Sequence, residues 1–362
     1  MPGRARVDSL RQLMERQSLA LMLVTCAENR RYLSGFTGSA GVLLITAQRQ
    51  AIATDFRYYE QALAQCPGWE LFRVGYDFDG QLPSLLRELG VNGGPLGYEA
   101  AHVTVDRMSH WQAALGEDVP LSGTLGLVEG LRVIKDDGEL AAIRRAVSIA
   151  DRAWAELLDQ LRPGLLEREV AWQLESAMRR LGASAVAFDL MVASGPNGAL
   201  PHARAGERVI QAGEPLVMDF GCVVDGYRSD ITRTVCLGHP SDGRYLELWN
   251  LVQRAQETAL AGLRGGLSGV EADQLARSVI VAAGYGEYFG HGLGHGIGLA
   301  AHELPRLSFA CAEPVPAGAV VSIEPGIYLP GWGGVRIEDL VLVRADGVEV
   351  LTQAPKSPIL ER

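Results

Sequence analysis

Lysine is almost missing from this chain: of its 33 basic residues only Lys135 and Lys356 carry an ammonium group, and the rest are arginine. Basic residues are also outnumbered by 43 acidic ones, for a formal net charge of -10. A chain without a basic surplus lacks the electrostatic footprint that binds a phosphate backbone, so nucleic acid is excluded as the main partner. Cysteine is scarce and unpatterned. Cys26, Cys66, Cys222, Cys236 and Cys311 are odd in number and show no CxxC spacing. That speaks against a disulfide framework or a zinc knuckle and fits a reducing cytoplasm. No run approaches the ~18 apolar residues of a membrane span, and the opening MPGRARVDSLRQLMERQ has no apolar leader core, so a soluble protein that avoids membranes is expected.

What is present describes an ordinary globular protein of 362 residues, 48% hydrophobic and 21% charged, long enough for two domains. Residues 1–127 alternate helical and strand patterns, which predicts an α/β domain. It opens on an amphipathic helix (Val7, Leu10, Leu13, Met14). Strands follow at 20–24, 41–46 and 51–55, then a helix over FRYYEQALAQ, a strand at LFRV and a helix over LPSLLREL. GFTGSAG, 35–41, lacks the lysine of a phosphate loop and the spacing of a dinucleotide fingerprint, and reads as a tight turn between strands. Glycines spaced through 123–139 predict a hinge, with Asp136, Asp137 and Glu139 heading a long helix, so the second domain is expected over 128–362. That helix should run to Leu161, before Pro163-Gly164. LRPG at 161–164 and LRGG at 263–266 then each lead into a helical segment closing on a glycine, Gly182 or Gly284, at a constant offset. Either two Ala/Leu/Arg helices look alike by chance, or the second domain is an α+β fold of two related halves packed as a pseudo-twofold pair.

Three stretches of the second domain carry chemistry. In MDFGCVVDGYRSDITRT, 218–234, Asp225-Gly226 is a strong hairpin turn that sets Val224 opposite Tyr227, Gly221 opposite Asp230 and Asp219 opposite Thr232. Asp219 and Asp230 become diagonal neighbours on one face, ~7–8 Å apart at the backbone, a spacing suited to divalent ions. A solvated polar hairpin would carry the same residues. In FGHGLGHGIGLAAHE, 289–303, every even position from 290 to 298 is glycine, which predicts an extended segment with His291 and His295 on one face and room for another backbone on the other. His302 lies beyond a bend, aimed at the same cleft. In VVSIEPGIYLPGWGGVRIEDLVLV, 320–343, Glu324 and Glu338 sit in apolar strand patterns where an uncompensated carboxylate is costly. They are either edge glutamates facing water or metal ligands. Four carboxylates and one imidazole, without a thiolate, form a hard, oxygen-rich donor set. It suits Mn²⁺ first, with Co²⁺ or Zn²⁺ as alternatives, and its charge calls for two divalent ions.

Those segments, with SIEPGIY and GVRIED, resemble in order and spacing the metal-site motifs of the pita-bread metallopeptidases, in particular the Xaa-Pro peptidase group of prolidase and aminopeptidase P. Residues 1–127, including GFTGSAG and TDFRYY, resemble that family's creatinase-type N-terminal domain. The resemblance implies a homodimeric metallo-exopeptidase acting on proline-containing di- or oligopeptides. It also implies that Asp219 holds one metal, that Asp230 and Glu338 bridge both, and that His295 and Glu324 complete the second. His202 and His302 would contact substrate, His291 would line the site, and Arg336 would support it from behind. Chain length favours a prolidase-like dipeptidase over an aminopeptidase P. A creatinase-like amidinohydrolase, which needs no metal, and a non-catalytic peptide-binding module fit less well, because every ligand type is present.

Overall fold

The computed structural model describes residues 2–117 and 119–361, arranged in two compact units, Met1–Arg132 and Val133–Arg362. The first unit is built on a six-stranded mixed sheet. Its order is Glu70–Arg73, Gln50–Thr54, Val42–Thr46, Leu21–Val24, Leu96–Glu99 and Leu121–Thr124. The central strand LMLV is buried on both faces, as a continuous apolar run demands. Its end is tied down by the buried Glu99 carboxylate, which accepts from the Thr25 amide at 2.6 Å, the Cys26 amide at 2.8 Å and Asn29 Nδ2 at 2.7 Å.

Two expectations for this part of the chain are corrected. GFTGSAG does not join two strands. It connects the helix Ala27–Ser34 to the strand Val42–Thr46, and Gly35 ends that helix in the left-handed region at φ 82°. The 123–139 segment is not simply a glycine-spaced hinge, because it contains the short helix Leu127–Arg132. Leu127 and Val128 are buried there, so hydrophobic anchoring outweighs the local glycine spacing.

The second unit opens on α1 (Asp137–Leu158), headed by a capping box in which Asp136 and Glu139 satisfy each other's backbone amides. This helix stops three residues short of Leu161. Proline at 163 disfavours helical backbone at the residue before it, and Leu161 is drawn into the core. α2 (Glu167–Arg180) and the strands β1 (Met191–Ser194), β2 (Pro215–Phe220) and β3 (Ile231–Leu237) complete the first half. Trp154 stacks on Phe220 there, with ring centroids 5.8 Å apart. The second half consists of α3 (Arg244–Gly262) and α4 (Gly269–Ala282), followed by a five-stranded sheet. That sheet contains β4 (Gly294–Gly296), β5 (Glu303–Leu307), β6 (Val320–Ile323) and, after the ribbon β7 (Gly326–Leu329) and β8 (Gly333–Arg336), β9 (Asp339–Val343).

The two halves repeat each other in detail. Gly164 and Gly266 take φ of 95° and 94°, and Gly182 and Gly284 take 110° and 85°. The Gly164 amide donates to Ile210 O and the Gly266 amide to Val315 O, both at 2.9 Å. Glu169 Oε2 and Glu271 Oε2 each accept from the backbone amide three residues earlier, that of Leu166 or Ser268, both at 2.8 Å, at the head of the second helix. Chance likeness between two helices would not reproduce the same turn, the same cap and the same long-range hydrogen bond.

Candidate functional site

The hairpin supplies the first two carboxylates in the expected register. Asp225 and Gly226 both adopt positive φ, 49° and 81°, which a two-residue turn needs in order to match strand twist. Val224 pairs with Tyr227, Phe220 with Ile231 and Asp219 with Thr232. Asp219 therefore lies near the end of β2 and Asp230 immediately before β3. A Cβ on Gly221 would come within 2.0 Å of Ser229 O, so only glycine lets the two strands close here.

His295 comes from β4, which is much shorter than the glycine alternation suggests, since only 294–296 are paired as a strand. The alternation has a steric cause nonetheless. A Cβ at Gly294 would lie 2.0 Å from Ser322 O, and one at Gly296 would lie 2.1 Å from Leu304 O. His291 falls in the irregular lead-in. Its ring meets Phe289 edge-on, and its Nε2 is 2.8 Å from the Tyr328 hydroxyl. Glu324 and Glu338 are placed at strand ends and not within strands. The Glu324 amide donates to Leu293 O at 2.8 Å and the Glu338 amide to Thr232 O at 3.1 Å. Each backbone is thus anchored two residues from another candidate ligand, Glu324 beside His295 and Glu338 beside Asp230.

The five side chains converge. Ligand atoms of Asp230, His295 and Glu338 lie within 4.8 Å of one another. His295 Nε2 is 3.2 Å from Glu324 Oε1 and 3.8 Å from Asp230 Oδ2. His295 Nδ1 lies 3.0 Å from Gly296 O, which can only accept, so Nδ1 is the donor there and Nε2 is the nitrogen that would face a metal in place of its contact with Glu324. Around them runs a supporting network. Arg336 bonds Asp219 Oδ2 at 2.6 Å and the Tyr328 hydroxyl at 2.9 Å. Thr232 Oγ1 accepts from Arg336 Nε at 3.0 Å while donating to Glu338 Oε2 at 2.8 Å, and Ser322 donates to Glu324 Oε1 at 3.0 Å.

These residues fit divalent cations, and the electrostatics show why. Burial, reinforced by neighbouring carboxylates, pushes both Asp230 and Glu338 well above the usual carboxylate range. Burial also raises Asp219, although Arg336 pulls the other way. Burial would raise Glu324 too, but the hydrogen bond and charge of His295 outweigh it and hold the group low. Asp219 Oδ1 and Glu338 Oε1 are buried with no hydrogen-bond partner among the described residues. Two orphaned carboxylate oxygens facing a cluster of like charge amount to an arrangement that a hard cation would complete.

The five candidate ligands line a cavity of about 660 Å³, which His202, His291 and His302 also line. The His302 ring lies 4.2 Å from that of His295, and burial together with His295 lowers its pKa, so it is a neutral imidazole at pH 7. Burial lowers His291 likewise. Sequence reasoning missed Tyr328 and Ser322, which support site residues from apolar strand patterns. It also missed Phe188, Asp189, Arg204 and Arg306, which line the cavity from loops and strand edges. Their only sequence signal was proximity to the motifs.

The family profiles agree with this geometry. The profile described as metallopeptidase family M24 matches residues 141–345, and the creatinase/prolidase N-terminal domain matches residues 6–134. An Xaa-Pro dipeptidase of Pyrococcus horikoshii is 34% identical over 98% of this chain and 98% of its own length. The structure of an Xaa-Pro dipeptidase from Bacillus anthracis superposes with a TM-score of 0.94 at 43% identity, covering 99% of this chain and 100% of that one. An X-Pro aminopeptidase from Thermotoga maritima superposes at 0.90 with 38% identity, covering 98% of this chain and 99% of its own. With the profile spanning more than half of the residues, the chain belongs to metallopeptidase family M24.

Proposed function

We propose that this metallo-exopeptidase is a two-metal Xaa-Pro dipeptidase, prolidase-like in substrate choice, working as a homodimer in a reducing cytoplasm and using Mn²⁺. The observation that carries the reading is the convergence of Asp219, Asp230, His295, Glu324 and Glu338 around two unpartnered carboxylate oxygens. Asp219 would hold one ion, Asp230 and Glu338 would bridge both, and His295 and Glu324 would complete the second. When bound, the ions supply Lewis acidity and make water nucleophilic at neutral pH. Manganese suits the oxygen-rich donor set. Five free cysteines suit a reducing compartment. The homodimer rests on the family resemblance.

Glu324 is the proton carrier. Ser322 holds its Oε1, so the other oxygen is free to take a proton from the attacking water and pass it to the departing proline nitrogen. His302, neutral and exposed at the cavity wall, donates to the scissile carbonyl oxygen as negative charge develops there. His202 steadies the same end of the substrate, and the Arg336–Tyr328 pair fixes Asp219 and His291 behind it. A proline nitrogen carries no hydrogen, so a peptidase gripping its substrate as an added β-strand would lose one contact; recognition by cavity shape avoids that loss.

Arg204 and Arg306 line the cavity and have no acidic partner among the described residues, which supports binding of a free C-terminal carboxylate and hence a dipeptide. The second reading is an aminopeptidase for longer Xaa-Pro peptides, favoured by the likeness to the Thermotoga maritima X-Pro aminopeptidase. Hydrolysis of Ala-Pro and Ala-Pro-Ala by the Mn²⁺-loaded protein separates them. The dipeptide should be cleaved at least tenfold faster in kcat/KM, and equal or faster tripeptide cleavage overturns the dipeptidase reading.

A further inference from the structure

Glu167 is a fully buried carboxylate outside the ligand set, and it forms no ion pair with any described residue. A buried charge of this kind is costly unless hydrogen bonds replace its water, and here they do. Its Oε1 accepts from the Ser194 amide at 2.8 Å, the Ser194 hydroxyl at 2.9 Å and Asn197 Nδ2 at 3.1 Å. Its Oε2 accepts from Asn197 Nδ2 at 3.1 Å and from the Gly206 amide at 3.3 Å. These donors sit at the two ends of one segment, 195–206, in which a single 3₁₀ turn over Gly195–Ala199 gives way to irregular backbone.

That segment carries His202 to the cavity wall. Its middle is fixed separately: Pro201 O accepts from Arg336 Nη1 at 3.2 Å, and the same guanidinium bonds Asp219. His202 therefore follows an anchor on the ligand network, while Glu167 sets where the chain runs on either side. The internal repeat shows that the scaffold itself requires no carboxylate here. At the offset that relates Gly164 to Gly266, Glu167 corresponds to Gly269. In both halves the backbone alone ties the head of the second helix to the returning chain. The Glu167 and Arg168 amides donate to Arg208 O and Gly206 O, both at 3.1 Å, and the Gly269 and Val270 amides donate to Glu313 O at 3.0 Å and Cys311 O at 2.8 Å. A Cβ at Gly269 would lie 2.2 Å from Arg306 O, so the second half closes on glycine. The first half instead sends a carboxylate through the same turn to the segment that bears His202.

We propose that Glu167 is a positioning residue: by tying both ends of 195–206 it holds the His202 imidazole at the cavity wall. This role rests on the Xaa-Pro reading above, in which His202 contacts the substrate. It gives control of a substrate-contacting histidine to a group that touches neither substrate nor metal.

A double-mutant cycle on the Mn²⁺-loaded protein tests it, with kcat/KM measured for whichever of Ala-Pro and Ala-Pro-Ala is cleaved faster. The proteins compared are wild type, Glu167→Gln, His202→Asn and the double variant. Glutamine brings an NH₂ group to a place where other donors already point, so Glu167→Gln should lower kcat/KM by about 10- to 100-fold, the scale of a misplaced contact group. Metal content should stay full, and hydrogen exchange across 195–206 should quicken. The double variant should lose no more than about twofold beyond His202→Asn, because the imidazole that Glu167 positions is already gone. A general loss of packing would act with or without His202, so losses that multiply overturn the assignment. Wild-type activity in Glu167→Gln, or a loss of bound Mn²⁺ that accounts for its defect, overturns it too. If Glu167→Gln does not fold, Asn197→Ala, which removes only the Asn197 contacts, takes its place in the cycle under the same criteria. If the wild type cleaves neither peptide, the Xaa-Pro reading itself fails. Hydrogen exchange then decides the role of Glu167, and exchange across 195–206 as slow in the variant as in the wild type overturns it.

Discussion

Glu338 illustrates how a residue's surroundings dictate its chemistry. Its Oε2 is satisfied by Thr232, its Oε1 has no partner among the described residues, and burial among other carboxylates raises its pKa well above the normal range. Glu338→Gln keeps the shape and the Thr232 contact but removes a charge from the ligand set. Bound metal, read by elemental analysis, should fall by at least one ion per chain and Xaa-Pro hydrolysis by about 10³-fold or more; full metal content in the variant would contradict a bridging role. The same raised pKa values set a pH dependence. Asp230 and Glu338 retain protons to higher pH than ordinary carboxyls in the metal-free protein, and a cation must displace them. Metal affinity should therefore rise with pH until both groups ionise unaided and then level off. Calorimetry in two buffers of different ionisation enthalpy should show protons released on binding, and no release would contradict the shifts.

At the scale of elements, register and close approach place the ligands. The hairpin was legible from Asp225-Gly226 alone, because a two-residue turn fixes every later pairing, and Asp219 lies opposite Thr232 as that register requires. The length of β4 was not legible. Alternating glycine looks the same whether the chain is paired along its length or only where neighbouring carbonyls crowd it, and here pairing covers three residues. Glu324 and Glu338 likewise read as strand residues but end strands, because an apolar pattern does not show where hydrogen bonding stops. Gly294 tests the importance of this packing. In Gly294→Ala the new methyl would meet Ser322 O at 2.0 Å, so β4 and β6 must separate, at a cost of about 1–3 kcal/mol. Thermal unfolding should shift down and metal affinity should fall with it as His295 moves; a variant matching the wild type in both would show that β4 tolerates displacement.

At the scale of the whole molecule, the motifs that revealed the site are those whose residue types are rare in strands: paired acids, glycine-spaced histidines and glutamates in apolar runs. The cavity walls were harder to read. Arg204 and Arg306 are exposed residues among 31 arginines, and only the fold shows that they face the same space as the metal ligands. The internal repeat was visible as LRPG and LRGG, and the matching caps and hydrogen bonds of the two halves explain why that spacing persists. The central claim is that five side chains from this paired scaffold hold two divalent ions that make the protein a peptidase. Stepwise return of Mn²⁺ to chelated protein, with Ala-Pro hydrolysis followed at each step, tests it most directly. The account predicts no turnover without metal and a rate that saturates at about two ions per chain; undiminished hydrolysis by the metal-free protein would contradict it.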